Sequence, residues 1–138
     1  MIKSLAHVCI LSRNLDRTLD FYCSTLGLEK GFDFLKNGEL FGFYLKIADR
    51  QFLEVFQTAE AEVPSKPRPI THFCLEVDDI EAMRARLVER GISVTEKKSG
   101  ADNSWQIWCK DPDGTDIEFH QYTPESTQLT GKPCHVNW

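Results

Sequence analysis

A chain of 138 residues is the size of one ordinary domain and long enough to bury a real core, which argues against a second independent domain. Hydrophobic residues at 41% and charged residues at 27% sit close to globular averages and exclude disorder, collagen-like repeats and coiled coil as economical readings. A formal net charge of −5, with Lys and Arg dispersed along the chain, provides no basic field to condense on phosphate, so nucleic acid is not an expected partner.

Residues 1–10 lack the apolar run and small-residue cleavage site of a signal peptide, and no stretch reaches bilayer-spanning length. A cytoplasmic protein without membrane contact is expected. Leu5 to Leu11 is an apolar run of strand length. A helix follows from Asn14, a good N-cap, with Leu19, Tyr22, Cys23 and Leu26 on one face and Gly27 as its stop. Strands are predicted near Phe32 to Leu35, Leu40 to Ile47 and Gln51 to Gln57, with Asn37-Gly38 turning between the first two.

Thr58 to Pro69 carries three prolines and no apolar periodicity, the mark of a linker. Beyond it Ile70 to Val77 reads as a strand. Asp78, with Glu81 three residues on, opens a helix whose apolar face is Ile80, Met83, Leu87 and Val88 and which Gly91 ends. Three more strands are predicted at Ser93 to Lys97, Ser104 to Lys110 and Thr115 to Tyr122, the last two joined by the Asp111-Pro112-Asp113-Gly114 turn. The fold class is therefore α+β: two tandem β-α-β-β-β modules, 3–57 and 70–122, forming a curled mixed sheet around a central pocket, with a tail at 123–138.

The repeat is visible in the residues. His7-Val8-Cys9 matches His72-Phe73-Cys74 at an offset of 65, and Leu53-Glu54-Val55 matches Ile117-Glu118-Phe119 at an offset of 64. Each module thus places one His in its first strand and one Glu in its last, both among apolar neighbours. A lone strand His is far more often a hydrogen-bonded core residue than a ligand, and a lone Glu can simply face solvent. Four at paired spacings favour another reading, because two ionised carboxylates buried without a cation would cost on the order of several kcal/mol and repel. Imidazole nitrogen with carboxylate oxygen suits one divalent transition metal on the pseudo-twofold axis.

His7, Glu54, His72 and Glu118 in this duplicated frame, with Asp111-Pro112-Asp113-Gly114 leading into Ile117-Glu118-Phe119, resemble the vicinal oxygen chelate superfamily. That group includes glyoxalase I, extradiol dioxygenases and bleomycin-binding proteins, so the resemblance speaks more strongly for fold than for reaction. Closest in ligand set are glyoxalase I-like members, which implies His7, Glu54, His72 and Glu118 as ligands of one ion (Ni, Co, Zn, Mn or Fe). It implies a lyase or isomerase acting on a small molecule with adjacent oxygens, through a metal-bound enediolate, with Glu54 or Glu118 moving the proton. Rival readings are a metal-free binding protein of the bleomycin-resistance type and an Fe(II) extradiol dioxygenase.

Bacterial glyoxalase I carries a glutathione-binding Arg four residues after its first ligand, where this chain has Leu11. That departure weighs against glutathione. Arg13 shares the parity of His7 only if the first strand continues that far. His120 shares the parity of Glu118, and either borders the pocket or is a strand-end residue near the surface. Trp105 and Trp108 fall on opposite faces, so at most one, Trp108, is expected to meet substrate. Five cysteines without a C-x-x-C pair read as reduced thiols, with Cys9 and Cys74 packing beside the ligand histidines. His135 and Trp138 could make the tail a lid. Because the modules have to pair their sheets within one chain or between chains, a homodimer is expected.

Overall fold

The computed structural model describes residues 5–59, 70–132 and 134. The predicted linker 58–69, apart from its first two residues, and the tail residues His135 and Trp138 lie outside them. The chain divides into two compact units, Met1–Arg68 and Pro69–Trp138.

In the first unit β1 (His7–Ser12) leads through Asn14 into α1 (Leu15–Leu19), which continues as a π-helix over Asp20–Thr25. Asn14 accepts a hydrogen bond from the Arg17 amide at 2.9 Å, the N-cap arrangement read from sequence. The predicted helix face is only partly realised. From Asp20 onward the turn widens to i→i−5 bonding, seen where the Leu26 amide donates to the Phe21 carbonyl at 3.0 Å. The buried set is Leu15, Thr18, Phe21, Tyr22, Thr25 and Leu26, while Leu19 and Cys23 are half-buried. Strands β2 (Glu29–Lys36), β3 (Glu39–Ala48) and β4 (Gln51–Gln57) complete a mixed sheet of order β1-β4-β3-β2, with β1 parallel to β4. Asn37 and Gly38 both take positive φ, 55° and 84°, as a two-residue hairpin turn of the mirror-image type requires.

The second unit repeats this topology. Strands β5 (His72–Glu76), β6 (Lys98–Ser99), β7 (Trp105–Lys110) and β8 (Asp116–Gln121) form a sheet of order β5-β8-β7-β6, with β5 parallel to β8. The two four-stranded mixed sheets give the expected α+β class, and they form no closed barrel among the described residues. The cap of α2 (Ile80–Glu89) is Asp79 and not Asp78, since its carboxylate accepts the Ala82 amide at 3.0 Å. Ile80 and Leu87 are buried, whereas Val88 is 53% exposed. Eight residues at about 100° each carry Val88 roughly 80° round the axis from Ile80. Replacing the cap, Asp79→Ala, is expected to cost about 1 kcal/mol in urea unfolding.

The strand predicted at 93–97 is also displaced. Only an isolated bridge, Val94 to Cys109, forms there, and β6 follows at 98–99. The intervening polar residues engage α2 instead: Arg84 donates to the Thr95 carbonyl at 3.2 Å and pairs with Glu96, and Lys97 pairs with Glu81 at 3.1 Å. After β8 the chain forms α3 (Thr127–Thr130), tied to the loop before β7 where the Thr127 amide donates to the Asp102 carbonyl at 2.8 Å. Among the described residues no helix is long and apolar enough to cross a membrane.

Period-2 alternation fixes what each sheet shows to either side. On β4, Leu53 and Val55 are fully buried with Phe43 and Leu45, while Glu54 points to the opposite face. On β8, Ile117 and Phe119 are fully buried, and Glu118 and His120 share the opposite face.

Candidate functional site

The strand register builds the same cross-strand set twice. In the first unit Cys9 is opposite Glu54 on one side and Tyr44 is opposite it on the other. In the second, Cys74 and Trp108 flank Glu118 in the same way. The parallel pairing of first and last strand sets His7 two residues from Cys9 on the Glu54 face, and His72 two residues from Cys74 on the Glu118 face.

His7 Nε2 lies 3.8 Å from Glu54 Oε2, and His72 Nε2 lies 3.3 Å from Glu118 Oε2. The carboxylates are the enclosed partners, with side chains 16% and 11% exposed, and the imidazoles are the open ones at 44% and 37%. Each imidazole is aimed by its other nitrogen: the Tyr44 hydroxyl is 3.2 Å from His7 Nδ1, and the Thr71 hydroxyl is 3.0 Å from His72 Nδ1. The Trp108 ring lies edge-on to His72 with centroids 4.7 Å apart, and its indole N–H donates to Gln106 at 2.9 Å. Trp105, on the other face, carries Lys97 over its ring at 4.5 Å.

Burial, then the hydrogen bond to Glu54 and the Glu54 charge, together push the Cys9 thiol up to about 11. Burial with the Glu118 charge pushes Cys74 up to about 12. Both are protonated at neutral pH, so neither is an activated nucleophile as it stands. Desolvation, then the Glu54 charge and hydrogen bond, also raise the Tyr44 phenol.

His120 is not the surface residue that a strand-end position allowed. It is 8% exposed, with Nε2 at 2.9 Å from Glu118 Oε1 and Nδ1 at 3.8 Å from Asp102 Oδ2. The Nε2 approach to Glu118 lacks hydrogen-bond alignment, which leaves this buried nitrogen without a hydrogen-bond partner. Asp102 is fixed by the Gln128 amide at 2.5 Å and the Ser104 amide at 3.2 Å. Burial works to raise its carboxyl, but those hydrogen bonds and the His120 charge outweigh it and hold the group below its ordinary value.

Leu11 is on the face of His7 and 37% exposed. Arg13 falls beyond Ser12, where β1 ends, so strand alternation does not carry it onto that face. Two residues of the site escaped the sequence reading. Tyr44 was recoverable, since 108 − 44 = 64 repeats the module offset and makes it the counterpart of Trp108. Asp102 sits in a loop, where no periodicity could have flagged it.

The donor set fits a divalent ion. Two ligands at adjacent vertices of an ion with bonds of roughly 2.1 Å lie about 3 Å apart. The His–Glu separations of 3.8 and 3.3 Å are near that span.

Residues 4–119 match the family described as Glyoxalase/Bleomycin resistance protein/Dioxygenase superfamily. The chain belongs to this superfamily. Catechol-2,3-dioxygenase of Bacillus subtilis (strain 168) is 28% identical over 121 residues, 83% of this chain, yet the chain spans only 40% of that relative's length. A glyoxalase family protein from Enterococcus faecalis superposes with a TM-score of 0.73 at 28% identity, covering 86% of this chain and 97% of that one. TnmS3, an antibiotic binding protein from Streptomyces sp. CB03234, superposes with a TM-score of 0.71 at 26% identity, covering 88% and 98%. The superfamily thus joins enzymes to binding proteins on one scaffold, and the side chains of the site have to argue the function.

Proposed function

We propose that this superfamily member is a metal-dependent lyase or isomerase, related to glyoxalase I, acting on a small molecule with adjacent oxygens. His7, Glu54, His72 and Glu118 are the residues proposed to hold one divalent transition ion. The observation that carries this reading is the recurrence of one imidazole–carboxylate pair per module at equivalent strand positions, 3.8 and 3.3 Å apart. When bound, such an ion draws charge from the substrate oxygens and lowers the cost of removing a neighbouring C–H proton.

The chain's own residues supply the rest. Glu54 or Glu118 takes the proton from one carbon and returns it to the next, which requires a carboxylate that is desolvated but still ionised. Tyr44 holds His7 in place, and the Trp108 ring stands beside His72 to exclude water from that side. Leu11 supplies no charge for a carboxylate-bearing thiol conjugate, which favours a hydroxy-ketone or sugar-like carbonyl compound. At 8% exposure His120 reaches Glu118 and not a substrate.

Elemental analysis and melting curves test the reading. Metal binding to the folded state contributes folding free energy, so a chelator should lower the melting temperature and added Ni²⁺, Co²⁺, Mn²⁺ or Zn²⁺ should restore it. Melting that ignores all four ions sinks the proposal. A homodimer in the cytoplasm is part of the same proposal, and sedimentation as a strict monomer at micromolar concentration counts against the assembly.

One observation favours a second reading, a planar aromatic ligand. Tyr44 stacks on Phe32 at 4.6 Å and meets Phe34 at 5.5 Å and Phe52 at 5.4 Å, and Phe34 meets Phe56 at 4.8 Å. This aromatic surface borders Glu54 and would suit a catechol or a polycyclic antibiotic as well as a small carbonyl compound. Oxygen uptake with catechols after anaerobic Fe(II) reconstitution supports the dioxygenase form. Tight ligand binding that a chelator leaves unchanged supports the binding-protein form.

A further inference from the structure

The two modules differ at one position that matters. On the Glu54 face of β4 the residue two further on is Phe56, packed against Phe34 and Phe41. On the Glu118 face of β8 the same position holds His120, a buried imidazole whose Nε2 has no hydrogen-bond partner. A buried ring nitrogen left in that state forfeits the free energy of a hydrogen bond unless something else occupies it.

What surrounds it is chemically specific. Cys74 Sγ, a carboxylate oxygen of Glu118 and a ring nitrogen of His120 all lie within 4.8 Å of one another, and they are the one such group of three donors among the described residues. The register makes this so, because Cys74 is paired with Glu118 across β5 and β8, and His120 follows Glu118 by one strand period. Glu118 can serve two neighbours at once, with Oε2 toward His72 and Oε1 toward His120. Behind the ring, Asp102 Oδ2 stands 3.8 Å from His120 Nδ1 and is itself held by Gln128 and Ser104. At that distance Asp102 is an electrostatic neighbour of the ring, and its negative charge favours binding of a cation beside it.

We propose that Cys74, Glu118 and His120 form a transition-metal site contained wholly within the second module. It goes beyond the His–Glu quartet and shares only Glu118 with it. Thiolate, imidazole and carboxylate together select Zn²⁺ or Co²⁺ over Mg²⁺, Ca²⁺ or Mn²⁺, and three protein ligands leave a coordination position open for water or a substrate oxygen. The thiol gives up its proton to solvent as the ion binds. The first module cannot build the counterpart, since Cys9 and Glu54 are present there but Phe56 is not a ligand.

The test is a Co²⁺ titration of the metal-stripped, reduced full-length protein, read by absorption. Thiolate ligation produces a thiolate-to-cobalt charge-transfer band in the near ultraviolet, which a site of His and Glu alone does not. Cys74→Ser should abolish the band and weaken Co²⁺ binding by at least about 10-fold, and His120→Gln should weaken it by about 10- to 100-fold. Cys23→Ser, on the helix of the first unit, should leave the band and the affinity as they are. Because the wild-type band is itself the primary readout, the result does not hinge on how a variant folds. Co²⁺ binding without the band, or a band that survives Cys74→Ser, overturns this site. If binding then depends equally on His7 and His72, the quartet stands alone, whereas no Co²⁺ binding at all removes both.

Discussion

Glu54→Gln or Glu118→Gln is expected to keep the ion while slowing proton exchange at the substrate carbon by about 10² to 10⁴. An amide still offers an oxygen to a metal but cannot accept a proton, so ligation and base catalysis separate at the carboxylates and not at the imidazoles. His7→Ala and His72→Ala should instead lose activity in step with lost metal. The check is metal content beside deuterium incorporation from solvent, on a substrate found by screening small carbonyl compounds for that exchange. Two Gln variants that are metal-loaded and exchange at the wild-type rate would end the isomerase reading.

The second large effect concerns the core beneath the site. Phe119 is fully buried between its strand partners Leu75 and Ile107, on the side of β8 opposite Glu118. Phe119→Ala should destabilise by about 3–5 kcal/mol, from lost burial and the cavity left behind. Against a typical total of about 5–15 kcal/mol that is enough to threaten the fold. All three tryptophans of the chain fall after residue 100, so intrinsic fluorescence in a urea titration reports the second unit directly. A midpoint unchanged from wild type would mean that Phe119 does not anchor the sheet.

The elements legible in the sequence are those whose signals are local. Gln51 to Gln57 is legible to the residue because a turn bounds the run on one side and a polar linker on the other. Asn14, Gly27 and Gly91 punctuate their helices for backbone reasons that need no tertiary context: Gly27 and Gly91 take φ of 85° and 71°, which a Cβ disfavours. The duplicated His and Glu positions were legible for a different reason. A repeat converts two weak signals into one strong coincidence, and family membership over residues 4–119 agrees with the fold drawn from it.

What failed to show in the sequence depends on neighbours distant in the chain. The first helix buries Thr18, Phe21 and Thr25 and leaves Leu19 and Cys23 only half-buried, a choice of face made by what the helix packs against and not by its own apolar spacing. The displaced β6 follows from Arg84 and Glu81 drawing Glu96 and Lys97 toward α2. Parity put His120 on the face of Glu118, and that much the sequence determined. Only the tertiary structure decided that it is buried, because the Asp102 loop and the start of the tail close over it through Gln128 and Ser126, contacts 22 to 26 residues apart in sequence. Side-chain direction is a property of the strand period and is written locally; enclosure is a property of what folds back on top, and no window of the sequence contains it.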